Sequence, residues 1–272
     1  MAVTPDEARI IARVMAQDNC FTGGCLMLLA AHTPPPNIHQ KETQMIKFYY
    51  NLAPNPMKVA LALEDMGLAY QLCPVDPRKG EQHEAAYLAI NPNAKVPAII
   101  DGDATVFDSN AILLYLAEKT GKFLPTQNLA DRGAMLSWMM FIASGIGPFS
   151  GQAVHFRNFA PEPKEYALNR YVFEAQRHWG IIENRLAGRE WMVGSDYSIV
   201  DMALWGWSRL VPFVLGQEQA AKYPNVTRHM NAVNARPAAQ RALAIKDHHA
   251  FKADNDEAAK NAMFRHLTTK VV

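Results

Sequence analysis

From Met45 the chain alternates. Ile46, Phe48 and Tyr50 fall on one side, Lys47 and Tyr49 on the other, so Met45–Asn51 is expected to be a strand. Ala53-Pro54-Asn55-Pro56 follows, with Asn55 suited to an N-cap and Pro56 to the first helical position, where no N–H is needed. Val59, Leu63 and Met66 then recur at helical spacing until Gly67 stops the helix. Tyr70–Val75 reads as a second strand and residues 78–90 as a looser helical stretch. Val96–Ile100 is a third strand, interrupted by Pro97, and Asp101-Gly102 turns it into Thr105–Phe107. Asp108-Ser109 caps a helix whose apolar positions include Ile112, Tyr115 and Leu116 and which ends at Gly121.

This order is β-α-β, then a helical stretch, a β-hairpin and a helix. It is the thioredoxin-like order, with a right-handed parallel first crossover and an antiparallel hairpin. Beyond the loop Lys122–Asn128 the strand signals stop. Residues 129–144, 163–187 and 199–215 carry helical periodicity, and Ser198-x-x-Asp201 is a capping-box variant that opens an apolar run through Ala203, Leu204 and Trp207. Met135, Met139 and Met140 read as core packing. The expected architecture is an α+β thioredoxin-like domain over residues 45–121 and a linker over 122–132. An all-α helical bundle follows over 133–251, then a C-terminal tail over 252–272.

Composition narrows the class. The 272 residues carry 27 Lys+Arg against 26 Asp+Glu, a formal net charge of +1, which argues against bulk electrostatic capture of nucleic acid or of an anionic membrane. A hydrophobic share of 49% with 19% charged residues is that of a globular protein. The three cysteines, Cys20, Cys25 and Cys73, form no CxxC pair, so neither a disulfide framework nor a zinc site is expected, and His248-His249 forms no metal-binding pattern. The apolar run Leu26–Ala31 is far short of the ~20 residues of a membrane-spanning helix.

Residues 1–44 stand apart. Residues 1–19 fit an amphipathic helix, and Asp6 and Glu7 at the start do not match the basic n-region of a signal peptide. Pro34-Pro35-Pro36 is an extended linker. The segment is expected to be a dispensable extension or a misassigned start, with Met45 as the natural beginning and a cytoplasmic location.

Three ordered motifs carry a resemblance: Asn91-Pro92-x-x-Lys95-Val96-Pro97, Phe107-Asp108-Ser109-Asn110-Ala111-Ile112, and Ser198-Ile199-Val200-Asp201. With them the chain, from Met45 to about Phe251, resembles the glutathione transferase family. Pro54-Asn55, Lys79-Gly80-x-Gln82 and Gly147-Pro148-x-x-Gly151-Gln152-x-x-His155-Phe156 make it most similar to the bacterial nu-class enzymes, the glutathione-dependent disulfide-bond oxidoreductases. The resemblance implies a cis Pro97 and, with Lys95, an extended stretch whose Val96 backbone pairs with the cysteinyl unit of glutathione like an added strand. Asp108 and Ser109, at a helix N-terminus, would hold the ammonium and carboxylate of the γ-glutamyl group; alone, the pair also fits a plain helix cap. Gln82 would add a polar contact to the peptide. Arg132 would reach a glutathione carboxylate from across the domain or the dimer. Phe149, Gln152, His155 and Phe156 would line the substrate cleft, although His155 also fits a satisfied core histidine. Cys73 reads as a small hydrophobe.

The thiol site departs from the pattern, because Ala53 stands where nu-class relatives carry a threonine. Alanine donates nothing to a thiolate. Asn55 remains, its amide N–H₂ a donor at the start of a helix, where a thiol of pKa ~8.5 is commonly lowered toward or below ~7. The resemblance thus implies glutathione as co-substrate, no metal, a small electrophile or disulfide as second substrate, and a homodimer, to which the methionine-rich helix at 133–144 adds a weaker hint. Missing the hydroxyl at Ala53, the chain also fits a non-catalytic glutathione-binding or regulatory protein of the same fold.

Overall fold

The computed structural model describes residues 45–125 and 128–269. The expected helix at 1–19 and the extension over 1–44 lie outside the described residues. Strand β1 (Ile46–Tyr50) leads into α1 (Pro54–Met66) and back through β2 (Tyr70–Pro74). A 3₁₀ turn, Glu81–His83, and one turn of helix, α2 (Ala85–Leu88), replace the looser stretch expected at 78–90. The hairpin β3 (Ala98–Asp101) and β4 (Ala104–Phe107) precedes α3 (Ser109–Thr120).

The four strands lie in the order β2-β1-β3-β4, with β1 parallel to β2 (Phe48 opposite Leu72) and antiparallel to β3 (Phe48 opposite Ile99). The alternation in β1 puts Ile46, Phe48 and Tyr50 in the core, as its spacing requires. The third strand begins at Ala98 rather than Val96, because the cis peptide Val96–Pro97 stands just outside the ladder. Gly67 and Gly121 close α1 and α3 in left-handed conformations, with φ of 70° and 66°.

Helix α1 begins earlier than its sequence suggests. Its N-cap is Ala53, without a side-chain cap bond, and Pro54 is the first helical residue. Asn55 therefore does not cap the helix; it sits inside the first turn with its side chain released for other contacts. The proline at 54 takes the position where a missing N–H costs nothing, and this sets the start.

The helical part opens with α4 (Leu129–Phe141), a π turn over Ile142–Ile146, and α5 (Gly147–Asn158). Helix α6 (Glu165–Leu186), α7 (Ile199–Ser208), α8 (Val211–Leu215), α9 (Gln217–Ala220), α10 (Pro224–Asn234) and α11 (Pro237–Ala244) follow, and α12 (Glu257–Met263) lies in the tail. Residues 129–158 form one helical rod of 30 residues, long and apolar enough to cross a membrane by length and composition. Here the rod packs on α6, where Trp179 Nε1 donates to Ser150 Oγ at 3.2 Å.

Helix α7 is buried along its whole length and packs on α1. It is launched by the expected capping box: Ser198 Oγ accepts from Val200 N–H, and Asp201 accepts from Ser198 N–H at 2.9 Å. The opposite face of Asp201 is held by buried His229, whose Nε2 lies 2.9 Å from Oδ1. A second tie joins the α+β part to the helices: Asp65 accepts from Tyr197 Oη at 2.9 Å and from Arg236 at 2.7 Å. The sheet and bundle thus share one core, and the first turn of α1 is pressed against α7.

Candidate functional site

Close contact between α1 and α7 creates the site. A Cβ on Gly206 would fall 2.5 Å from the Pro54 carbonyl oxygen and 2.6 Å from Lys58 Cγ, so only glycine lets the two backbones approach this closely. The next residue, Trp207, reaches across and its Nε1 donates to Asn55 Oδ1 at 3.0 Å. An indole nitrogen can only donate, so it must take the amide oxygen and leave the Asn55 N–H₂ as the free end. That N–H₂ has no protein partner among the described residues, and Asn55 lines two adjoining hollows of about 260 and 270 Å³. Trp207 is itself seated on the small residues of α5, where Cβ atoms on Gly147 and Gly151 would touch its ring at 3.3 and 3.7 Å.

One hollow runs from Asn55 to the start of α3. Asp108 caps that helix, its Oδ1 accepting from Asn110 N–H at 2.9 Å and Ala111 N–H at 3.2 Å, which leaves Oδ2 outside the cap. Its φ of 69° with ψ of 127° is a conformation L-residues rarely adopt, at a cost of order 1–3 kcal/mol, and such strain gathers at ligand sites. Ser109 is buried at the first helical position, and its Oγ accepts from Lys58 Nζ at 3.4 Å. Lys58 is 1% exposed, and burial lowers its pKa to about 7 against the opposing pull of Asp108.

The other hollow runs from Ala53 and Asn55 to Val96. The backbone at Lys95 is fixed from behind, since its carbonyl accepts from Tyr87 Oη and Asn91 Nδ2, both at 2.6 Å. The site therefore offers an amide donor, a helix N-terminus with a hydroxyl and a buried amine, a carboxylate oxygen, and the backbone of Lys95–Val96. It suits a zwitterionic peptide with a nucleophilic sulfur.

Two family models match this chain: "Glutathione S-transferase, N-terminal domain" over residues 44–118 and "Glutathione S-transferase, C-terminal domain" over residues 139–237. The disulfide-bond oxidoreductase YfcG of Escherichia coli is 39% identical over 206 residues, covering 73% of this chain and 94% of that protein. The chain belongs to the glutathione S-transferase family. Among solved structures, a glutathione transferase of Pseudomonas putida with one glutathione disulfide bound per subunit superposes with a TM-score of 0.70 at 34% identity, covering 76% of this chain and 94% of that one. The nitrogen regulation fragment of the yeast prion protein Ure2p gives 0.69 at 32% identity, covering 75% and 98%.

Of the residues that the glutathione transferase pattern marks, Asn55, Lys95, Val96, Asp108 and Ser109 are brought together around these hollows, and Pro97 lies buried behind Val96. Gln82 is also present, but its N–H₂ is turned to backbone: it donates to Ala262 O at 3.1 Å and Pro77 O at 3.4 Å, while its buried Oε1 has no partner among the described residues. Arg132 is exposed on the first turns of α4 and lines neither hollow in a single chain. Phe149 and Phe156, seven residues apart, share the face of α5 that packs on α6: Phe149 stacks on His178 at 4.8 Å and Phe156 on Tyr171 at 5.3 Å. They do not wall the cleft, which meets α5 at Gly147 and Pro148. Gln152 is exposed and lines neither hollow. His155 lies in an aromatic cluster, 4.6 Å from the ring of Phe264, and burial and nearby His266 lower its pKa.

Three contributors lay outside the sequence reading. Trp207 and Lys58 are two. The third is the segment after 251. It is moored by Lys252 N–H to Asp76 at 2.7 Å and by Arg78 Nε to Asn255 at 2.9 Å, and it brings Met263 and Phe264 over the mouth of the cleft beside Val96. A larger hollow of about 480 Å³, between Phe123–Pro125 and Val193–Ser198, is lined by none of the residues expected to bind glutathione or substrate. Among the described residues no three His, Cys, Asp or Glu side chains converge to hold a metal ion. Cys73 sits free on β2, its pKa raised by burial.

Proposed function

We propose that the protein is a glutathione-dependent transferase or disulfide-bond oxidoreductase. It holds glutathione between Val96 and the α3 N-terminus and presents the thiolate to an electrophile or disulfide. The observation that carries this reading is the Trp207–Asn55 bond, which leaves an amide N–H₂ as the donor at the start of α1. There it can hydrogen-bond an anionic sulfur, the more reactive form in both substitution at carbon and thiol–disulfide exchange. In exchange, the glutathione thiolate attacks one sulfur of the substrate disulfide, forming a mixed disulfide and expelling the other sulfur as thiolate. No protein cysteine is required.

Asp108 would meet the ligand ammonium through Oδ2, and Ser109 its carboxylate. Phe264, Met263 and Trp207 give the apolar side of the cleft, in place of the α5 phenylalanines. A homodimer is the assembly we propose, supported by Phe107, Leu129 and Met140, which are exposed at 42%, 84% and 55%. In it Arg132 would act on the partner's ligand. A cytoplasmic setting follows from the same chemistry, which uses reduced glutathione. The domain limits we propose are 45–121 and 133–251.

Ala53 favours one second reading, glutathione binding without turnover in a regulatory role, since a methyl group replaces the usual hydroxyl. Calorimetry with glutathione, followed by assays with an aryl halide and with a small disulfide, separates the possibilities. Binding with turnover of either substrate supports an enzyme. Binding with no turnover over a broad panel supports regulation, and no binding removes both.

A further inference from the structure

Lys58 is a buried lysine at the edge of the site. Its stem lies in the slot between α1 and Gly206, its side chain is 1% exposed, and its sole hydrogen bond among the described residues is the 3.4 Å contact to Ser109 Oγ. Among the described residues no carboxylate lies within ion-pair distance of it. An ammonium with three donors and one long bond is far from satisfied, and burial without a counter-ion is strongly unfavourable. Yet the amine borders the hollow at the α3 N-terminus, where an anion would sit.

We propose that Lys58 is a ligand-binding residue: its ammonium is the buried counter-ion of the carboxylate that Ser109 receives. This rests on the reading of the site as a glutathione site, the carboxylate being that of the γ-glutamyl group. With Lys58 donating to Ser109 Oγ, the hydroxyl keeps its own hydrogen for the ligand. The two groups and the α3 amides then bind one anion from one side.

A proton is linked to this event. Around Lys58, among the described residues, the start of α3 supplies Asp108 as the negative group, the turn before β3 supplies Lys95, and α7 presents Gly206 and Trp207, which do not titrate. Ile142, Ala143, Gly147 and Pro148 complete the hollow without a charge. Before binding, an amine with a pKa of about 7 is mostly neutral at pH 8. A carboxylate placed against it raises that pKa, and the neutral amine takes one proton from the buffer to become the ammonium.

The test uses S-methylglutathione, which has no thiol proton to release. Titration calorimetry at pH 8 in buffers of different ionisation enthalpy counts the protons. The unmutated protein is expected to take up most of one proton, and Lys58→Met is expected to abolish the uptake and weaken binding about tenfold or more. A companion ligand lacking the γ-glutamyl α-carboxylate should bind both proteins equally. Equal affinity of the two proteins for S-methylglutathione overturns the role of Lys58 while leaving the glutathione site standing. Failure of the unmutated protein to bind S-methylglutathione overturns both. Where Lys58→Met does not fold, Lys58→Gln, which keeps the length of the side chain with a neutral polar end, makes the same affinity comparison.

Discussion

Trp207 donates to Asn55 across 152 residues of chain, and this one bond decides which end of the Asn55 amide faces the cleft. A side-chain amide can rotate by half a turn at little cost, so a donor aimed at sulfur needs something to fix it. The indole does so because it has no acceptor with which to hold the other end.

Removal of the amide should therefore raise the pKa of the bound glutathione thiol. A hydrogen bond to a charged group is worth ~1.5–3 kcal/mol, which corresponds to about one to two pKa units for Asn55→Ala. Trp207→Phe keeps Asn55 but frees it to turn, and a smaller rise, under about one unit, is expected. Thiolate absorbance in the ultraviolet, followed against pH in the binary complexes, measures both. An unmoved midpoint in Asn55→Ala that still binds glutathione would pass the activation to the backbone amides of α1.

The cap geometry gives a stability outcome for the same region. Since Ala53 is the N-cap and offers no side-chain oxygen, Asn55→Ala removes no cap and should lose only the Trp207 bond, about 0.5–1.5 kcal/mol. Ala53→Thr places a hydroxyl at the cap, at φ −69° and ψ 163°, and should stabilise by about 0.5–1 kcal/mol. The same hydroxyl should lower the bound thiol's pKa. Urea denaturation of both variants, with the thiol titration alongside, gives the two answers; an unchanged midpoint in Ala53→Thr would mean the threonine hydroxyl does not reach the α1 amides.

The strands, the hairpin, the helix stops at Gly67 and Gly121 and the Ser198–Asp201 box were legible because each is a local pattern of few residues. Asn55 was legible as a donor but misplaced as a cap. Cap preference is a property of residue type, whereas the helix start was set by Pro54. Trp207 and Lys58 carried no signal of their own, since an apolar helix and a helical lysine are ordinary. Their roles arise only where α7 meets α1 at Gly206. Phe149 and Phe156 had a usable clue: their spacing of seven puts them on one face, opposite the Gly147 and Gly151 pair that admits Trp207. The segment after 251 docks in part through backbone atoms, Lys252 N and Ala262 O, to which composition is blind.

That docked segment should govern access. Deletion of residues 252–272 removes Met263 and Phe264 from the cleft mouth and frees the Gln82 N–H₂ from Ala262. Glutathione is expected to associate and dissociate faster, by several-fold, and bulky disulfides to gain more than small ones. Phe264→Ala should reproduce part of the change while keeping the moorings at Asp76 and Arg78. Stopped-flow binding compares the three proteins, and identical rates would make the segment a mere surface covering.

The unbound protein should reveal Lys58 through the pH dependence of its stability. In the folded state its pKa is about 7, whereas the unfolded chain keeps the ordinary 10.5, so between these values the unfolded state holds more protons. Stability contributed by this group therefore rises with pH across that window and is lowest below pH 7, where a charged amine must stay buried. The span amounts to a few kcal/mol. Lys58→Met removes both the buried charge and the slope. The variant should be more stable than the unmutated protein at pH 6.5–7.5, and the gap should close toward pH 10. Denaturant titrations of the two proteins at several pH values give the difference curve, in which all shared groups cancel. A flat difference, or a variant less stable at neutral pH, would mean that the Lys58 ammonium already has its counter-ion in the empty site.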